Sequence, residues 1–461
     1  MPLCKTYYVN AETGRDSFDG LSEATAFASL RAVNRLTLQP GDRVRLARGS
    51  VFAGQYLHLT CCGSKDAPIV VGAYGDGPAP RIDADGQGIW YQDYGCPLDS
   101  PTHVYRGYVS SAVLLYDAAY VTVQDLEITN HSGAIWGESY SQPDKMERTG
   151  VAVVAKDKGT CRGITLRDLA IHDVNGNVYD KHMNNGGIYM TALSPADEAA
   201  TGPARFADVL VEGCYLYRVS RWGLAVGYTY AHAHFQGAAL EEAPFLKYGH
   251  ENVTIRDNYV KLAGGDGITV MYALRPLVEH NTADSVACEI NDRVYSHPGD
   301  RAGKVAAGIW PWKCKDALFR CNEAADTRLN QDSMGYDADS GDGTVYEYNF
   351  SRQNEGGCVM FCLQEAIHNT FCHNVSFDDL GGTISPSENP DALITDNVFY
   401  VRDGVPFVRP QMGGGNYTAE NNTFLPLDKF TPCIAAVSPL PYLPLNQPKT
   451  NTPRTRQEGC V

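Results

Sequence analysis

Seven short stretches share one local pattern: TIRDN ending at Asn258, LVEHN at Asn281, LFRCN at Asn322, YEYN at Asn349, FCHN at Asn374, ITDN at Asn397 and AENN at Asn422. The asparagines are separated by 23, 41, 27, 25, 23 and 25 residues. Most steps equal one coil of a stacked solenoid, and the 41-residue step is a coil carrying an inserted loop. In front of each asparagine runs an alternation such as Val253-Thr254-Ile255-Arg256, which suits a strand with one face in a core. Asn tolerates left-handed backbone geometry, so each Asn is expected to make a sharp bend. Its amide is expected to hydrogen-bond to the equivalent amide one coil away. These features predict a right-handed parallel β-helix in which the asparagines form a buried structural ladder.

A second register agrees. Short apolar strands are expected after Gly150 (VAVVA), Gly187 (IYMTA), Gly223 (LAVGY), Gly267 (ITVMY), Gly308 (IWPWK), Gly335 (YDADS) and Gly382 (TISPS). Each coil then carries at least two strands, and stacking buries an apolar column that no single coil could bury. Upstream, VTVQD ends at Asp125, ITLRD at Asp168 and VLVEG at Gly213, so the spacing of 43 and 45 residues leaves room for surface loops.

A solenoid grows linearly, so the chain is read as one domain over residues 1–425, followed by a Pro-rich tail over 426–461 that packs on the outside. Residues 22–36 carry Phe27, Leu30, Val33 and Leu36 at helical spacing and predict an amphipathic helical cap on the first coil. The net charge of −16, with no basic stripe to offset it, excludes nucleic acid and anionic membranes as expected partners. No apolar run reaches the length of a membrane span. MPLCKTYYVN lacks the features of a signal peptide, so the expected location is the cytoplasm, or outside the cell after loss of a leader. Cys358, Cys362 and Cys372 fall within predicted strands, where a free thiol acts as a small core hydrophobe.

The chemistry concentrates in residues 331–342, QDSMGYDADSGD. Alternation after Gly335 turns Tyr336 and Ala338 inward and leaves Asp337 and Asp339 together on the outer face, with Cα atoms about 6.7 Å apart. Asp332 approaches the same surface from the preceding turn. Crowded carboxyls push one another's pKa values apart, which lets one stay protonated as a general acid while another stays ionised. A calcium site would also suit such a cluster, so calcium is possible, although no cofactor is required and no metal ligand is assigned. Aligning the post-glycine strands puts Trp310 and Trp312 in the columns of Asp337 and Asp339, with Thr269 and Tyr189 farther back. An aromatic strip beside acids is what a sugar ring with apolar CH faces requires. Asp266 and Glu355, directly before Gly267 and Gly356, and Glu289, Arg293 and Lys313 near coil edges complete the candidate substrate-binding set. His232 and His234 lack a recognisable third metal ligand in the sequence.

The opening segment YYVNAETGRDSFDGLSEATAFASLRAVNRLTLQPGDRVRLARGSVFAG resembles that of many β-helix carbohydrate-active enzymes. The YDAD region resembles the catalytic region of β-helix glycoside hydrolases, nearest the lacto-N-biosidase group. That resemblance implies that Asp332 is the general acid/base, Asp339 the nucleophile and Asp337 a supporting acid. It also implies hydrolysis of a complex, host-type oligosaccharide with retention of configuration. Two alternatives are a calcium-dependent polysaccharide lyase acting by β-elimination on a uronate polymer, and a non-catalytic glycan-binding solenoid.

Overall fold

The computed structural model describes residues 4–100, 103–132, 146–290, 305–328, 332–409 and 413–427. The chain winds into three long sheets. The first, of 14 strands, runs from Thr6–Val9 to Thr418–Glu420. The second, of 12 strands, runs from Val51–Ala53 to Thr423–Pro426. The third, of 11 strands, runs from Leu57–Leu59 to Ile384–Ser387. Named strand pairs are parallel except for the hairpin of Ile89–Asp93 with Arg106–Tyr116. This is the right-handed parallel β-helix expected. Its core is a set of stacked columns. On the third sheet, Val151, Ile188, Leu224, Ile268, Ile309, Tyr336, Val359 and Ile384 pair in register coil after coil, all buried.

The asparagine ladder is present at every predicted rung. Asn349 donates from its main-chain N–H and its Nδ2 to Oδ1 of Asn374, at 2.8 and 3.0 Å, while its Nδ2 also donates to the Phe319 carbonyl at 3.0 Å. The same pattern links Asn258 to Asn281 and continues to Asn422. One detail corrects the sequence reading. The left-handed residue is the one before each asparagine: Asp257, His280, Cys321, Tyr348, His373, Asp396 and Asn421 have φ between 53° and 58°. Placing the bend there frees the asparagine to point its amide inward, where three buried main-chain and side-chain groups need a partner.

The glycine column is also real, for steric reasons. A Cβ on Gly267 would lie 2.4 Å from the Gly308 carbonyl oxygen, and one on Gly308 would lie 2.4 Å from that of Gly335. The post-glycine series omits the strand Gly357–Cys362, in which Cys358 and Cys362 lie as expected, because its glycine sits one position early. Met334 pairs with Gly357 and Tyr336 with Val359, so Cys358 stands opposite Gly335.

At the N-terminus the expected 22–36 helix shrinks to a 3-10 turn at Glu23–Thr25 and a single α-turn at Leu30–Val33. Phe27 instead forms an extended bridge with Val9, its N–H donating to the Tyr8 carbonyl. Edge pairing outweighs helical spacing here, yet Phe27, Leu30 and Val33 still cover the core. Pro426 ends the last strand, a position where a missing N–H is tolerated. The rest of the expected tail, from residue 428, lies outside the described residues. No helix among them is long and apolar enough to cross a membrane. The described cysteines are free thiols; Cys358 and Cys362 are buried in their strand and Cys372 is half-buried.

Candidate active site

The outer face of the third sheet is not bare. A second apolar layer, including Tyr94, Trp222, Tyr228, Phe235, Tyr272 and Trp310, lies over it. Tyr189 and Thr269 sit in the predicted outward column, since Tyr189 pairs with Ala225, Ala225 with Thr269 and Thr269 with Trp310. Both are fully enclosed beneath that layer. Beside its downstream part lies a small cleft lined by Lys181, Asp266, Ala306, Ala307, Trp310, Asp332, Asp337 and Asp339. Four aspartates singled out in the sequence, Asp266, Asp332, Asp337 and Asp339, thus line one cavity.

Register explains why. Trp312 pairs with Asp339, and Ile309 with Tyr336, so Trp310 faces Asp337 one coil away. On the other side Met360 pairs with Asp337 and Cys362 with Asp339. Each carboxyl on this strand is therefore flanked by an indole on one coil and a sulfur side chain on the next. Little water remains to solvate charge. Asp337 is 2% exposed, and its Oδ1 has no hydrogen-bond partner among the described residues. Burial, then the charges of Asp339 and Asp332, hold its carboxyl well above the usual range. Asp339 stays partly open and accepts a hydrogen bond from Ser340 Oγ at 3.0 Å. Burial pushes it up to about 8, against the opposing pull of Lys181. Asp332, half-buried just before the strand, is pushed up to about 6 by burial, with Asp266 raising it further and Lys181 and Arg221 opposing.

Asp266 is committed to structure. Its carboxylate pairs with buried Arg221 at 2.7 Å and accepts from Ala307 N–H at 3.1 Å and from Trp310 Nε1 at 3.0 Å. It thereby fixes the Trp310 indole as a wall of the cleft. Trp310 itself is 3% exposed, whereas Trp312 is half-buried and donates from Nε1 to Tyr272 Oη at 3.0 Å. The two tryptophans stand in the outward columns expected, and the outer apolar layer covers most of both. Lys313 donates to Glu365 at 2.6 Å and to the Phe235 carbonyl at 3.1 Å, with its ammonium 5.8 Å from the Trp312 ring. Glu355 pairs with Arg328 at 3.3 Å, and Glu289 lies on a turn whose N–H bonds the Gly264 carbonyl. Neither lines the cleft. Arg293 lies outside the described residues.

Lys181 was missed by sequence reasoning. Its ammonium stands 5.2 Å from the Trp310 ring centre and acts on all three cleft aspartates. It comes from the loop before the strand Gly186–Ala192, four coils away from the strand of Asp337, so no local spacing marks it. Among the described residues, the group of three potential metal ligands within 4.8 Å of one another is Asp99, His103 and His182. His232 and His234 are not part of it; His234 stacks on Tyr248 at 3.9 Å.

No family profile matches the chain. A lacto-N-biosidase of Bifidobacterium longum subsp. longum is 40% identical over 460 residues, covering 91% of this chain and 29% of that protein. The chain thus spans under a third of the length of that curated relative. Crystal structures of a GH136 lacto-N-biosidase from Eubacterium ramulus, native and selenomethionine, are 63% identical with a TM-score of 0.89, covering 92% of this chain and 68% of that one. Identity at that level, carried through two-thirds of a solved chain with the same coil architecture, makes this chain a member of the GH136 lacto-N-biosidase family of glycoside hydrolases.

Proposed function

We propose that the chain hydrolyses a glycosidic bond of a complex, host-type oligosaccharide through Asp332 and Asp339, with retention of configuration. The observation that carries this reading is the convergence of Asp332, Asp337 and Asp339 with Trp310 and Lys181 in one cleft, every carboxyl shifted upward. The name of its relatives makes a terminal lacto-N-biose unit the first substrate to test.

In this scheme Asp332 protonates the leaving oxygen while Asp339, ionised, attacks the anomeric carbon. Water then enters as Asp332 takes its proton, and the sugar leaves Asp339. Asp337, enclosed and kept neutral, supports Asp332 and Asp339 without adding charge. Trp310 offers an apolar wall to a sugar face, and Asp266 holds that wall still.

One observation favours a second reading with the roles exchanged. In the free cleft Asp332 gives up its proton more readily than Asp339, so the first scheme requires substrate to move the shared proton from Asp339 to Asp332. Lys181, facing both, is the charge placed to influence that move. Azide distinguishes the two. Added to Asp332→Ala with an activated substrate, it gives a glycosyl azide of retained configuration if Asp332 is the acid/base, and of inverted configuration if Asp332 is the nucleophile. Loss of neither activity nor stereochemistry in both Asp332→Ala and Asp339→Ala would end the proposal. The lyase alternative is checked in the same assay, because elimination gives an unsaturated uronate absorbance along with each new reducing end, whereas hydrolysis gives reducing ends without it. Membership of a hydrolase family weighs against it, and no step above draws on calcium.

A further inference from the structure

Asp99 and His103 follow the strand Ile89–Asp93, and His182 lies in the loop before Gly186–Ala192. Their ligand atoms lie within 4.8 Å of one another, with Asp99 Oδ1 and His103 Nδ1 at 3.2 Å. Around a tetrahedral ion with bonds of about 2.0–2.1 Å, neighbouring donors are about 3.3 Å apart, so that pair already has the spacing of two ligands on one ion. The His103 and His182 rings meet edge-on with centroids 4.4 Å apart.

His182 is the second, independent observation. It is 5% exposed, yet its buried Nδ1 has no hydrogen-bond partner among the described residues. Leaving an imidazole nitrogen dry and unpaired is costly unless something binds it. The backbone around it is held firmly: the His182 carbonyl accepts from Tyr94 Oη at 2.7 Å and Gln92 Nε2 at 3.2 Å, and Asn184 Nδ2 donates to Gln92 Oε1 at 2.7 Å. The ring is therefore positioned before any ligand arrives. Beyond Tyr228, whose ring lies 4.0 Å from that of His182, stands His232 with a second buried, unpartnered Nδ1.

We propose that Asp99, His103 and His182 bind one divalent transition-metal ion of the zinc class, clamping the segment after the hairpin strand to the loop that carries Lys181. Two imidazoles and one carboxylate suit a borderline ion such as Zn²⁺, whereas Ca²⁺ takes six to eight oxygens. A fourth position is left for water. Because His182 directly follows Lys181, the ion would brace one wall of the cleft, a structural role independent of which sugar is cleaved.

The test is calorimetric titration of Zn²⁺ into tag-free, chelator-stripped full-length protein, without substrate. Expected are one saturable site, a raised melting temperature, and the intense visible bands of four-coordinate Co²⁺ when cobalt replaces zinc. Asp99→Asn preserves shape at a partly exposed position, and His182→Ala removes the enclosed ligand; each should weaken binding by about 100-fold or more. Should His182→Ala fail to fold, Asp99→Asn and His103→Ala decide. Absence of saturable binding, or wild-type affinity in the folded variants, overturns the proposal, and neither outcome bears on the roles of Asp332 and Asp339.

Discussion

Replacing Asp332 by Asn should make the protein more stable near neutral pH while removing its activity. In the fold the carboxyl titrates at about 6 in place of its ordinary 3.8. Well below pH 3.8 the group is protonated folded or unfolded, and its ionisation costs nothing. As the pH rises through 3.8 the unfolded chain loses its proton but the folded one keeps it, so stability falls until about pH 6 and is level above. Two pH units at about 1.4 kcal/mol each give about 3 kcal/mol, and the solvent that half-buried Asp332 retains reduces the expected gain to about 1–3 kcal/mol. Asn keeps the shape without the ionisation. The difference between Asp332→Asn and wild type should therefore be small at pH 4 and reach its full size by pH 7, a rise in melting temperature of about a few degrees. Parallel melts at the two pH values measure it. A variant that melts below wild type at pH 7, by the same margin as at pH 4, would show that Asp332 holds the fold together and would refute the reasoning.

Other expectations follow from the same cleft and coils. Lys181→Met removes a cation that favours the ionised form of all three aspartates, so the acidic limb of the kcat/KM–pH profile should move upward by about one unit; an unmoved limb would place Lys181 outside the site's electrostatics. Trp312→Ala should weaken substrate binding by about 1–3 kcal/mol if its open edge faces sugar. Because the indole also packs on the outer aromatic layer and bonds Tyr272, a lowered melting temperature with unchanged affinity would make it purely structural. Asn349→Ala strips two donated and two accepted side-chain hydrogen bonds from a buried rung and should cost more than about 3 kcal/mol in denaturant unfolding. A cost under 1 kcal/mol would mean the ladder is not a source of stability.

The sequence made the coil visible because a solenoid writes its register into the chain at short range. An Asn every 23 to 27 residues, with one step of 41, and a glycine that must clear a neighbouring carbonyl are local facts repeated many times. The same property made Asp337 and Asp339 legible, since strand alternation alone turns them outward, and pairing by post-glycine register put Trp310 and Trp312 in their columns. Where the reading failed, the cause was competition between local preference and contact. Residues 22–36 have helical spacing, but the open edge of the first coil draws Phe27 into a bridge. The left-handed bends fall on Asp, His, Cys and Tyr as well as Asn, so residue type did not reveal which position carries them.

What the repeat cannot encode is the part that breaks it. Lys181 and His182 come from one interruption of the repeat, Asp99 and His103 from another, Phe235 from a third, and all converge on the same sheet face. Their separations of tens of residues carry no period, so only the folded coil brings them together. The division of labour follows from this: the regular strands fix where the two outward carboxyls stand to within one coil, and the insertions determine how dry those carboxyls are and which cation they feel. Asp339 and Asp332 on a bare solenoid would be two solvated acids with ordinary titration. Under the loops that bring Lys181 and seal Trp310, burial raises both carboxyls toward neutral pH, the condition that the proposed acid-assisted displacement at an anomeric carbon demands.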